Sequence, residues 1–503
     1  MKKINILFTL LLVFISSSCD MDKKPYGVLE EDEAIQTLSD CRSYRNGLYV
    51  SMRGITTGGF VLYGDIQTDG YHAVIGNGGA LNALYSGSLQ PEMEEFEAVW
   101  GGLYATIGAT NFIIGKMEII DNSNMYSGND KKELRRYLGE AFFMRAFCYF
   151  NLADKFCGAY NKNTATKSNG GLPLSVVYEP TNENDKYPGR STLAETYDLI
   201  KKDLDAALPY LLDYETLANA APAAKSPYIT SYAVKALQAR VALVMEDYTE
   251  ALKKSEEVIG SGKYSLAGDT QKLLDLWKYD VADEAIWRVS MTNQHLGYAS
   301  GSYFLSNVNN PSFIPTKATS DLFDKDKDYR TGSYLVKRNI SLAEGSGEIY
   351  AFSKYPGNPQ LFVSSNNYTN MSKPFRLAEQ YLIAAEAAAY LGYSSKANQH
   401  LNTLKSKRIS GYVSQQHNGE SLINKIREER QRELLGEGFR LGDLKRWGIG
   451  FNRSEGQNDI LINKLGNVHR LSYEPNDYRL VWPIPKAEMD ANPQIRNHQN
   501  PGY

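Results

Sequence analysis

Carboxylates offer the first candidate chemistry in this 503-residue chain. Asp65 and Asp69 lie in a glycine-rich stretch, and Asp321, Asp324, Asp326 and Asp328 cluster further on. A glycosidase needs only two carboxyl groups flanking the bond it cleaves. Aspartate is also a routine turn residue, and no G-x-S-x-G elbow or supported nucleophilic cysteine accompanies these. A surface hydrolase would therefore rest on the loop carboxylates alone. The six histidines, at 72, 295, 400, 417, 469 and 498, include neither an HExxH motif nor a helical pair, so no metal site is expected. Gly260-Ser261-Gly262-Lys263 has the lettering of a phosphate loop but lacks its upstream glycine and the hydroxyl residue after lysine. No catalytic residue and no cofactor is expected.

Cys19 carries a different chemistry. It follows Met1-Lys2-Lys3, the apolar run INILFTLLLVFI and Ser16-Ser17-Ser18. A basic head, a short apolar stretch and small residues make a secretory signal, too short for a stable membrane span. A cysteine closing it marks a bacterial lipoprotein signal, in which the thiol is diacylated and becomes the new N-terminus; a plain signal cleaved nearby is the alternative. Residues 1–18 then form the signal and 19–30, polar and containing Pro25, a lipidated flexible tether. Cys41, Cys148 and Cys157 remain, an odd number that argues against a disulfide framework.

These groups need elements to hold them. Helical periodicity dominates from Glu31: a helix near Asp40, another over Phe96–Ile120, and a third over Lys131–Phe156. Thr192–Leu212 opens with a Thr192/Glu195 capping box. Two helix–turn–helix pairs follow, Ser231–Met245 with Tyr248–Ile259 and Pro374–Leu391 with Ser395–Arg408. Alanines line the first helix of each (Ala233, Ala236, Ala239, Ala242; Ala378, Ala384, Ala385, Ala388), and small residues let helices approach closely, as in tetratricopeptide stacking. The fold class expected is mostly α, a helical scaffold with a loop-rich second region containing short strands. Gly64–Gly87 reads as a long loop, as do most of 263–372 and 450–503, with a short strand around Ala285–Trp287. Trp100 and Trp287 sit in apolar patterns and are expected in the core.

The formal net charge of −3 and pI of about 6.2 give no basic excess for nucleic acid. Tyrosine is the outlier, at 35 residues, about double its usual share. A tyrosine ring combines a flat apolar face with a hydroxyl, which suits irregular cores and sugar stacking alike. Charge is densest at Ile426–Trp447, where Glu429 with Arg432 and Arg430 with Glu433 are spaced for ion pairing along one helix. That helix should break at Gly436 and Gly438 and resume from Arg440.

The segment REERQRELLGEGFRLGDLKRWG resembles the C-terminal signature of the SusD/RagB family of outer-membrane nutrient-binding lipoproteins. GEAFFMRAFCYFNLADKFCG (139–158) with GGLPL (170–174), GRSTLAETYDLIKKDLDAAL (189–208), KPFRLAEQYLIAAEAAA (373–389) and the terminal VWPIPKAEMDANPQIRNHQNPGY agree in order. The resemblance implies about four tetratricopeptide-like units: an N-terminal region (31–262) with a ligand loop at 63–87, a loop-rich insertion (263–372), and a C-terminal region (373–503) completing the scaffold. It implies a non-catalytic lipoprotein, lipidated at Cys19 and anchored on the outer face of the outer membrane. Such a protein would capture oligosaccharide or another nutrient as the lid of a SusC-like TonB-dependent transporter. A surface glycoside hydrolase and a tetratricopeptide adaptor are the alternatives.

In the family, ligand groups come from the N-terminal loops and the insertion, here 63–87 and roughly 293–310. The first offers Tyr63, Asp65, Asp69, Tyr71, His72, Asn77 and Tyr85; the second offers Asn293, Tyr298, Tyr303, Phe304 and Asn307. Each tyrosine could equally pack beneath its own loop, so the expectation attaches to the group.

Overall fold

The computed structural model describes residues 33–181, 183–305 and 311–503. Cys19, the signal, the tether and Asn307 lie outside these residues. The helices that build the scaffold and the site are α1 (Leu38–Ile55), α2 (Gly59–Gln67), α3 (Glu94–Asn122), α4 (Gly128–Phe156), α5 (Leu193–Tyr214), α6 (Ser231–Val244), α7 (Tyr248–Ile259), α8 (Leu377–Tyr390), α9 (Ser394–Ser406), α10 (Gly419–Glu433) and α11 (Arg440–Trp447). Local chemistry sets their starts. Thr37 and Asp40 form a reciprocal capping box on α1, and Thr192 and Glu195 form the expected one on α5.

Antiparallel partners stack in chain order, α4 on α5, α6 on α7, α8 on α9, with α7 also against α8. The scaffold is tetratricopeptide-like. The alanine faces are where α6 and α8 approach their neighbours: Ala239, Ala242, Ala384, Ala385 and Ala388 share one buried cluster. The larger core surrounds α4, where Phe143, Phe147, Trp287 and Phe375 meet with centroids 5.8 to 6.4 Å apart. Trp100 and Trp287 are both core residues, and Cys41, Cys148 and Cys157 are free thiols buried within it.

The strands are short and form two-stranded antiparallel ribbons: β1 (Tyr71–Ala73), β2 (Ala285–Trp287), β3 (Phe313–Pro315), β4 (Leu335–Leu342), β5 (Gly345–Phe352), β6 (Phe375–Arg376), β7 (Phe451–Asn452) and β8 (Ser472–Tyr473). β1 pairs with β3, β2 with β6, and β7 with β8, while β4 and β5 make a hairpin from Leu335↔Phe352 to Leu342↔Gly345. The stretch 64–87 is therefore not one long loop. It holds the end of α2, all of β1 and a short helix at Asn82–Ser86. Three of its glycines shape the turn after β1, where Gly76, Gly78 and Gly79 take φ of +74°, +69° and +77°, a region closed to most side chains.

The charged segment also departs from expectation. α10 and α11 flank the glycine break as predicted, yet the charges at the end of α10 are buried and pair mostly outside their own helix. Glu433 accepts from Arg330 Nη1 (2.9 Å), Arg376 Nη1 (2.9 Å), Arg408 Nε (2.9 Å) and Nη2 (3.0 Å), and the Tyr334 hydroxyl (3.0 Å). Arg430 pairs with Asp443 of α11, not with Glu433. Of the two expected ion pairs only Glu429 with Arg432 forms. This buried cluster ties the insertion (Arg330), β6 (Arg376) and the end of α9 (Arg408) to α10, and so fixes the loop-rich region on the scaffold.

Candidate functional site: an aromatic surface at the α1–α2 corner

The corner between α1 and α2 reads Thr56-Thr57-Gly58-Gly59-Phe60. Gly58, the N-cap of α2, has φ of +59°. The insertion returns to this corner through residues 297–300. The backbone N–H of Tyr298 donates to Thr57 Oγ1 (2.8 Å), and the N–H of Gly58 donates to Ser300 Oγ (2.9 Å). The approach is close enough to require glycine. A Cβ on Gly297 would stand 2.6 Å from the Arg53 carbonyl oxygen, and one on Gly58 would stand 2.6 Å from Tyr298 Cβ.

Four rings gather on this frame. Tyr298, 59% exposed, lies nearly parallel to Phe60, with centroids 6.3 Å apart and 15° between planes. Phe60 rests over Gly102 of α3, where a Cβ would come within 2.7 Å of its Cζ. Tyr63, one turn along α2, folds back over Gly59, whose Cβ would meet the ring at 2.1 Å. Tyr303 faces Tyr63; burial and then this second phenol push the Tyr63 pKa up. The carboxylate of Glu95, in the first turn of α3, acts on both phenols and also pushes their pKa values up. Phe60, Tyr63 and Tyr303 are half-buried, so each ring is fixed by packing and still reaches solvent.

The remaining residues expected at the site take other roles. Tyr71 is fully buried against Phe304 (4.9 Å) and Phe352 (5.7 Å), and Phe304 is itself core. Tyr85 packs on Phe313 beneath the Arg453 guanidinium, 3.9 Å from its centroid. His72 is enclosed, Nδ1 at 3.1 Å from the Tyr85 hydroxyl and Nε2 at 2.7 Å from the Ser454 carbonyl, and burial pushes its pKa down to about 4. Tyr71, His72 and Tyr85 come from the stretch 63–87, which contains a buried strand, and Phe304 comes from the insertion; all four face the interior. Asp65 accepts the N–H groups of Gly438 (2.9 Å) and Arg440 (3.1 Å) at the start of α11; burial raises its pKa to about 7 despite both bonds. Asp69 is held bidentate by Arg440 at 2.9 and 2.7 Å. Both carboxylates thus join α2 and β1 to α11. Asn293 is exposed in a turn closed by Thr292 and His295, and Asn77 accepts the Gly79 N–H within the turn after β1. Asp324 caps the turn at Asp326 and Lys327, and Asp328 pairs with buried Arg330.

Phe60 was missed. Its only signal is its place beside the Gly58-Gly59 pair, which beds Tyr298 and Tyr63, while Phe60 itself rests on Gly102 of α3. Among the described residues no group of three or more His, Cys, Asp and Glu is placed to hold a metal, and no helix is long and apolar enough to cross a membrane.

The class these features define is a tetratricopeptide-like helical scaffold that presents an aromatic surface where α2 meets the insertion. A family model described as "SusD family" matches residues 325–503, and one described as "Starch-binding associating with outer membrane" matches 21–243. The chain is 25% identical to SusD-like protein P2 of Formosa agariphila over 561 residues, spanning all of both chains. It superposes on a SusD superfamily protein from Bacteroides thetaiotaomicron with a TM-score of 0.77 at 27% identity, covering 93% of this chain and 100% of that one. A putative sugar binding protein from Bacteroides vulgatus matches with a TM-score of 0.75 at 25% identity, covering 93% and 99%. The chain belongs to the SusD/RagB family.

Proposed function

We propose that this chain is a non-catalytic glycan-binding lipoprotein, tethered through Cys19 to the outer face of the outer membrane, that delivers oligosaccharide to a SusC-like TonB-dependent transporter and serves as its lid. The observation that carries the reading is the set of four rings, Phe60, Tyr63 and Tyr298 seated on glycines and Tyr303 against Tyr63, each still reaching solvent. Flat apolar faces rimmed by phenols and a carboxylate match a pyranose ring, which is apolar across its face and polar at its edge. The names of the relatives point the same way, one a putative sugar binding protein and one family model starch-binding. The tether supports the lid role, because holding a capture protein beside its barrel raises its effective concentration there. The commitment of Asp65 and Asp69 to α11 weakens the hydrolase reading, since neither stands free across a groove.

The test is calorimetric titration of the lipid-free chain with a glycan panel, together with product analysis. Binding without cleavage, weakened in Tyr298→Ala, supports the reading. Cleavage of a bound glycan would sink it.

A further inference from the structure

The aromatic surface stands over a cavity. Beneath Phe60 a space of about 100 Å³ extends between the α1–α2 corner, α4 and α11, and its rim includes Thr57 and Ser300, which also hold the Tyr298 segment. Size restricts the occupant. A cavity of roughly 150 Å³ takes one benzene molecule, so a pyranose ring does not fit, whereas a single small polyatomic substituent does.

The lining restricts it further. Lys155, in the last turn of α4, is 6% exposed; its ammonium makes no hydrogen bond, and its nearest counter-charge is Asp154 at 3.9 Å. Asp154 is the more solvated partner, its side chain 21% exposed. Arg430, 2% exposed, gives its Nε to both oxygens of Asp443 (2.9 and 2.7 Å) and leaves Nη1 buried without a partner. Trp277 Nε1 is likewise buried and unpartnered. The other lining charges are committed. Asp443 also accepts from Arg446, Glu437 from Lys354 and Arg376, Arg240 is matched by Glu379, and Lys373 by Asp280. What remains buried without a partner is therefore N–H, on Arg430 and the Trp277 indole, with the Lys155 ammonium facing only Asp154 at 3.9 Å. Buried donors without acceptors are costly, and the group that answers them accepts only and carries negative charge. Burial pushes the Lys155 pKa down, with Asp154 opposing it.

We propose that this cavity is a subsite for one anionic substituent, a uronate carboxylate or a sulfate ester, of a glycan whose ring lies on the Phe60–Tyr298 surface, with Lys155 and Arg430 as its counter-charges. The inference rests on the glycan-binding reading and narrows it to acidic glycans. The sugar face supplies contact on the rings, and the substituent supplies selectivity below them.

The experiment titrates the lipid-free chain with matched pairs. Oligouronates from polygalacturonate, alginate and glucuronan are each compared with their carboxyl-reduced forms. Oligosaccharides of chondroitin sulfate and carrageenan are compared with their desulfated forms. The expected result is that an acidic member binds about tenfold more tightly than its neutralised partner, and the pair that responds tells carboxylate from sulfate. Lys155→Gln should abolish that preference while melting near the wild-type temperature, and Tyr298→Ala should weaken both members alike. Equal binding of both members of every pair, or a preference kept in Lys155→Gln, would overturn the subsite and leave the glycan-binding reading intact. No binding to any acidic or neutral glycan would overturn both.

Discussion

Replacing Glu433 by Gln removes one charge from the centre of the buried cluster while keeping its shape. The carboxylate takes five hydrogen bonds, three on Oε1 (Tyr334, Arg376, Arg408) and two on Oε2 (Arg330, Arg408). An amide has one acceptor oxygen, so either orientation turns an NH₂ group toward at least two existing donors. Arg330, Arg376 and Arg408 are all 1% exposed or less, so no water compensates them. Removing one partner from a buried ion cluster costs roughly 3–5 kcal/mol, a large part of the ~5–15 kcal/mol that holds a typical protein folded. Burial alone would raise the Glu433 pKa; Arg408, Arg376 and Arg330 more than reverse it and hold it well below the usual value. A depressed carboxylate stabilises fully above its unfolded pKa near 4.5, and this contribution is lost only as pH falls through the lower folded value. The assay is urea unfolding at pH 7 followed by circular dichroism. Glu428→Gln is the control, because Glu428 pairs with Arg432 and Lys425 at a side-chain exposure of 37% and such a pair contributes under about 1 kcal/mol. If Glu433→Gln costs no more than Glu428→Gln, the claim that this cluster fastens the insertion to the scaffold is wrong.

The buried rings and the exposed ring should separate in melting experiments. Tyr71→Ala and Tyr85→Ala should each destabilise by about 3–5 kcal/mol, as for other large aromatic truncations in cores, whereas Tyr298→Ala should cost under about 1 kcal/mol; equal losses would place Tyr298 in the core. His72 predicts a pH dependence. Its pKa falls from 6.5 to about 4 on folding, so between these values the unfolded chain binds the extra proton and stability rises with pH. That contribution is complete above pH 6.5, fades as the pH drops toward the folded value, and amounts to at most about 3 kcal/mol. The stability difference between wild type and His72→Gln should therefore shift across this interval, and a constant difference would refute the assignment.

What was legible in the sequence is what neighbouring residues decide. The capping box at Thr192 and Glu195, the alanine faces of α6 and α8, and the glycine break before α11 are local patterns, and each forms as read. The charged helix was misread because spacing shows only partners within a turn or two. Those that bind Glu433 come from Arg330, Arg376 and Arg408, distant in the chain and brought together by tertiary packing. The site divides the same way. Tyr63, Tyr298 and Tyr303 were read from loop composition and do meet at one surface. Tyr71 and Tyr85 belong to the interior because β1 pairs with Phe313–Pro315, some 240 residues further on, and a three-residue strand leaves no periodic trace. Lys155 and Arg430 gave no sign, since a helical cation on an amphipathic pattern ordinarily reaches water.

The most direct measurement of the central claim is calorimetric titration of the lipid-free wild-type chain and of Tyr298→Ala with neutral and acidic oligosaccharides, with chromatography of the sugar afterwards. The expected result is saturable binding of an intact glycan that weakens about tenfold or more when this solvent-facing ring is removed, with the fold unchanged. Cleavage of the sugar, or an affinity indifferent to Tyr298, would contradict it.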